Sequence, residues 1–157
     1  MSEADEDSLE RAILGEDPAF NAAEVAAEAG ITIEQARRLW RALGFPEHGA
    51  ERAFTQADVG AVDTLVGAVD AGLFDFDLAV NLTRGVGQTM ARLADWEVGA
   101  LVARVQEMAE QGEGDGSRVT NALRLIQDLR EPFESLLIYV WRRHLAAAVV
   151  RMEAQDT

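Results

Sequence analysis

The stretch Glu134-SLLIYVWRRHLAAAVVR-Met152 decides how this chain is read. Apolar side chains recur at Phe133, Leu137, Val140, Trp141, Leu145, Ala148, Val149 and Met152, a spacing of three and four residues. That is the stripe of an amphipathic helix, and it predicts a broad face buried in a core. His144 falls on the stripe, seven residues after Leu137 and four before Ala148. Either the imidazole is satisfied by one hydrogen bond at a core edge, or it is a titrating group whose protonation disturbs packing. Arg142 and Arg143 straddle the solvent edge of the same helix as secondary candidates.

Working outward, helix signals account for nearly the whole chain and no stretch alternates with period two. Asn21 with Glu24, Thr32 with Gln35, and Thr55 with Asp58 each have capping-box spacing, and Gly30, Gly44 and Gly72 stand where those helices should stop. A helix is expected over residues 75–94, another from Asp95 to about Gln111, and a third over residues 118–130. Pro132 then suits the first turn of the long last helix. The glycine-rich run at residues 112–117 reads as a loop. The fold class is all-α: a multi-helix bundle with a helix-turn-helix-like N-terminal part and a long C-terminal helix. Residues 1–20 are expected to be an acidic, partly disordered N-terminus, without order up to about Asp7. Residues 21–71 form the helix-turn-helix-like part, and residues 72–157 a helical bundle ending in the last helix.

Composition narrows the function classes. The 157 residues carry 28 acidic and 14 basic side chains, a formal charge of −14, and every basic one is arginine. Residues 1–30 alone hold nine acids against one arginine. Such acidity disfavours phosphate backbones and anionic lipid surfaces as partners. No cysteine is present, which excludes disulfides, thiol nucleophiles and cysteine-ligated metals. His48 and His144 lack metal-ligand spacing, so no metal and no cofactor is expected. No apolar run reaches membrane-spanning length and the acidic start is unlike a signal peptide, which points to a cytoplasmic protein. No nucleophile, phosphate loop or catalytic motif is visible, so the chain is not read as an enzyme.

Two functions of different class fit these patterns. "VAAEAGITIEQARRLWRALGF" has helix-turn-helix spacing, with Gly30 in the turn and Arg37, Arg38 and Arg41 on the second helix. With the following "ERAFTQADVGAVDTLV" it resembles MerR-type regulators, which implies DNA binding. The flanks carry Glu24, Glu28, Glu34, Glu47, Glu51 and Asp58, so the basic footprint that a DNA reader needs is weak.

The other is a sensor. "AAEVAAEAGITIEQARRLWRALGF", "LFDFDLAVNLTRGVGQTMARLA" and "LLIYVWRRHLAAAVVRM" follow one another in an order and spacing that resembles the N-terminal regulatory domain of actinobacterial class III adenylate cyclases. The N-terminus is shorter and more acidic than that pattern, and the chain lacks the cyclase catalytic domain with its metal-binding aspartates. The resemblance implies an all-helical homodimer, a long-chain fatty acid held in an apolar tunnel, and a last helix that acts as a pH-responsive switch on cAMP synthesis. His144 matches the histidine of that helix, and Arg84 matches an arginine of the earlier one. The residues themselves allow it: on a helix Arg84 shares a face with Val80, Gly87 and Ala91, small or apolar neighbours beside a group suited to a carboxylate. Arg84 could equally pair with Asp75 or Asp77. The candidate ligand-binding residues are therefore Arg84 and His144, with Val80, Gly87, Leu137, Val140 and Trp141 lining a pocket or interface.

Overall fold

The computed structural model describes residues 2–114 and 116–157; Asp115, within the predicted glycine-rich loop, lies outside them. Among the described residues the fold is all-α, as expected. It comprises α1 (Glu3–Leu14), α2 (Ala22–Ala29), α3 (Ile33–Leu43), α4 (Gln56–Asp70), α5 (Phe76–Glu110) and α6 (Arg118–Asp156).

The capping boxes explain where the short helices begin. Asn21 Oδ1 accepts the Glu24 amide at 2.9 Å while Glu24 Oε1 accepts the Asn21 amide at 3.1 Å. Thr32 with Gln35, and Thr55 with Asp58, close the same reciprocal pair. Each box satisfies two of the amides that a helix start leaves without partners. Gly30 ends α2 at φ 69°, a left-handed conformation that costs a residue without a Cβ little.

Two expectations about helix bounds are corrected below. Glu3–Leu14, within the segment expected to be partly disordered, is the helix α1. Ser2 and Asp5 cap it reciprocally, with amide-to-side-chain bonds of 3.1 and 3.3 Å, and acidic residues in its first turn suit the positive end of the helix dipole. The bond from the Ser2 backbone, then that from its hydroxyl, lowers the Asp5 carboxyl below its ordinary value. The predicted break at Asp95 is absent. Neither glycine nor proline interrupts residues 88–98, so α5 runs on for 35 residues. Pro132 lies inside α6, a single helix of 39 residues, and not in the first turn of a separate one. Proline removes one amide from the ladder, and the flanking turns carry the helix through it.

The chain divides into two compact units, and the division falls inside α5. One unit is Gly15–Ala100. In it α2 packs against α3 and α4 around Val25, Leu39, Val59 and Val62, all at most 3% exposed. Trp40 stacks on Phe54 with centroids 4.4 Å apart, and an isolated antiparallel bridge joins Phe54 to Phe20. The other unit joins α1 to Leu101–Thr157, with α1 on α6 and Val105, Met108 and Asn121 buried.

Candidate functional site

In the Gly15–Ala100 unit, α5 presents its inner face through Ala79, Val80, Thr83 and Gly87. Val80 belongs to the core and is 6% exposed. Gly87 is buried because the backbone of Leu43, the last residue of α3, occupies the place where a Cβ would stand. The space that Gly87 opens is thus filled by α3. Arg84 is exposed: Nη1 donates to Asn81 Oδ1 at 3.2 Å, and it makes no ion pair among the described residues. Neither carboxylate offered as its alternative partner takes it. Asp77 accepts from Arg38 at 3.0 Å, and Asp75 accepts the Leu78 amide at 2.8 Å at the start of α5.

In the other unit, the apolar stripe of α6 behaves differently from its expected burial. Leu137 is half-buried, and every residue from Ile138 to Thr157 is exposed. Trp141 is 60% exposed and Val140 39%. The helix outruns the part of the chain that packs on it, so periodicity here marks an apolar surface and not an internal core. His144, Arg142 and Arg143 stand on this exposed half without side-chain hydrogen bonds or ion pairs among the described residues. From Ser135 to Met152 the helix carries Arg142, Arg143, His144 and Arg151 and no acidic residue, in a chain of charge −14. It is an apolar, cationic segment on an acidic protein. Arg84 and His144 thus lie in different units.

The sequence reading missed a second exposed apolar stripe. On α5 Leu78, Leu82, Val86 and Met90 recur every four residues, 44–54% exposed, while Val80, Thr83 and Gly87 are buried. The signal was there: α5 is apolar on two sides, and one core can cover only one.

The helix-turn-helix arginines are all engaged. Arg37 pairs with Glu34 at 3.0 Å, Arg38 with Asp77 and over the Phe76 ring, and Arg41 with Glu47. Arg52 pairs with Glu24 at 3.2 Å. The Arg41 hydrogen bond, reinforced by its charge, holds the Glu47 carboxyl below its ordinary value. In the second unit Arg104 bridges Glu107 and Glu113, and the hydrogen bond to Glu113 raises its pKa. No group of three or more His, Asp or Glu side chains is placed to hold a metal among the described residues, and none of their helices is long and apolar enough to cross a membrane.

Known proteins resemble this chain over nearly all its length. It is 40% identical over 146 residues to an adenylate cyclase of Glutamicibacter nicotianae, a match covering 92% of this chain and 36% of the relative. It is 38% identical to adenylate cyclases of Streptomyces coelicolor and Streptomyces griseus, again over 92% of this chain and 37% and 35% of theirs. The chain thus spans about a third of the length of the curated relatives it matches and corresponds to one part of such proteins. No protein-family model matches it, and no solved structure does.

Proposed function

We propose that this chain is a non-catalytic regulatory region of an adenylate cyclase, acting on a cyclase catalytic domain in the same chain or in another. It works as a homodimer, binds a long-chain fatty acid and responds to pH through α6. The observation that carries the reading is the match over 92% of this chain to only about a third of proteins named adenylate cyclase. Such a match fits a self-contained accessory part of a longer enzyme. The exposed apolar stripe of α6 supports it, because a large exposed apolar surface on a helix marks a place that something covers.

Arg84 is the group for the fatty-acid head, since its guanidinium has no carboxylate partner among the described residues and suits a bidentate one. His144 is the group for the proton: on an apolar surface that closes in one conformation and opens in another, protonation adds a charge that one of them must accommodate. Each unit of pKa difference between two such conformations biases them by about 1.4 kcal/mol. The MerR-like alternative is weaker, because Arg37, Arg38 and Arg41 are already neutralised by carboxylates.

The test is a chimera. The matching region of the Streptomyces coelicolor adenylate cyclase is replaced by this chain, and cAMP formation is followed between pH 5.5 and 8 with and without oleate. A rate that depends on pH and on oleate, compared with the catalytic part alone, is the expected outcome. A chimera indistinguishable from the bare catalytic part would overturn the reading.

A further inference from the structure

The exposed half of α6 also holds a pattern that specifies how a second copy is met. A two-stranded seam needs apolar residues alternately three and four apart, the a and d positions of a heptad. Of the seven ways to lay that pattern on residues 135–152, six include an arginine or His144. The seventh is Ile138, Trp141, Leu145, Ala148 and Met152, apolar throughout. All five are exposed, Ile138 at 50%, Trp141 at 60%, Leu145 at 49% and Met152 at 58%. The seam runs about 22 Å at the usual helical rise.

Charge chooses the direction. In this register Arg142 and Val149 take e positions, and Leu137, His144 and Arg151 take g positions. A parallel pair sets each g residue against the e residue five further along the other helix, whereas an antiparallel pair sets e against e and g against g. Antiparallel helices that set a against d along this seam have two alignments: one faces Arg142 with its own copy and His144 with its own copy, and the other faces His144 with Arg151. Parallel helices in register face Leu137 with Arg142, His144 with Val149, and Arg151 with Asp156. No cation meets a cation, and the one flanking acid within reach is used.

We infer that two copies of this chain meet through a parallel, in-register seam of Ile138, Trp141, Leu145, Ala148 and Met152, flanked by Arg151–Asp156 pairs between the copies. This rests on the homodimer proposed above and adds its direction and register. Two heptads are fewer than a free-standing coiled coil uses, so the seam is one contact within a larger interface.

The chain has no cysteine, so a single introduced thiol reports on its own copy alone. Ala148→Cys occupies a d position and Ala147→Cys an outward one. Light scattering first gives the oligomeric state of the 157-residue protein, and mild oxidation follows. The expected result is a dimer in which Ala148→Cys links most of the protein and Ala147→Cys little. A charge exchange tests the flank independently of disulfide geometry. Arg151→Glu weakens the dimer roughly three- to tenfold, as expected for losing two exposed pairs, and Asp156→Arg in the same chain restores it. A dimer in which Ala148→Cys stays unlinked and the charge exchange has no effect overturns the parallel seam but leaves the dimer standing. A monomer overturns both.

Discussion

Gly87 lies directly against Leu43: a Cβ on Gly87 would collide with the Leu43 carbonyl group. The contact lets α5 cross the C-terminal end of α3 at backbone distance. Because the neighbour is backbone, it cannot swing aside as a flexible side chain would. Gly87→Ala is expected to destabilise the protein by about 1–3 kcal/mol, in the range of overpacked cores. Gly85, two residues earlier on the same helix, has nothing within 4 Å of its would-be Cβ. Gly85→Ala should therefore stabilise the helix by about 0.5–1 kcal/mol. Thermal unfolding of the two variants reads opposite signs. Equal shifts would mean that helix propensity, and not the Leu43 contact, governs both.

The cap of α2 gives a second, smaller effect. Asn21 and Glu24 satisfy each other's amides, and Asn21→Ala leaves the Glu24 amide to water. A loss of about 0.5–2 kcal/mol is expected, and only a few tenths for Asn21→Gly. Denaturant unfolding at constant m-value would resolve the ranking, and an alanine variant as stable as the glycine one would contradict the role of the cap.

Acid should uncouple Arg41 from Glu47. The folded protein holds the Glu47 carboxyl below its ordinary value, so the unfolded chain binds that proton more readily as pH falls. The pair's contribution is complete above the ordinary glutamate range and is lost as pH falls through the lower folded value. Both side chains are exposed, so the effect is small. Glu47→Gln should melt slightly below the parent protein at pH 7, and the two curves should converge under acid. A difference that persists below the folded value would point to packing instead of charge.

Arg84 and His144 separate the two halves of the proposed sensing role. Arg84→Ala should reduce the fatty acid released from the purified protein on denaturing mass spectrometry, leaving helix content unchanged because the side chain is exposed and bonded only to Asn81. His144→Ala should leave lipid release intact and flatten the pH response of the chimera. Undiminished lipid in the first variant, or an unchanged pH profile in the second, would remove that residue from the proposal.

By itself the sequence determined what depends on neighbours a few residues apart. The all-α class, the three capping boxes and the left-handed glycine stops follow from bonds spanning three to five residues, and they appear where the spacing put them. The same local logic marked residues 134–152 as an apolar helix with His144 on its face. What periodicity does not contain is the identity of whatever covers that face. A stripe is the same whether a core, a second copy or a ligand lies on it, so the exposure of Ile138 to Met152 came only from the fold. Continuity of α5 and α6 was hidden for a related reason. Asp95 and Pro132 are weak stop signals whose effect depends on whether the flanking turns hold the ladder together. Ion pairs distant in sequence were equally out of reach, such as Arg38 to Asp77 across 39 positions, which takes Asp77 away from Arg84. Gly87 shows the division most plainly. The sequence offered a residue without a side chain, and only the crossing of α5 over the end of α3 decided that backbone, and not a ligand, occupies the space beside it.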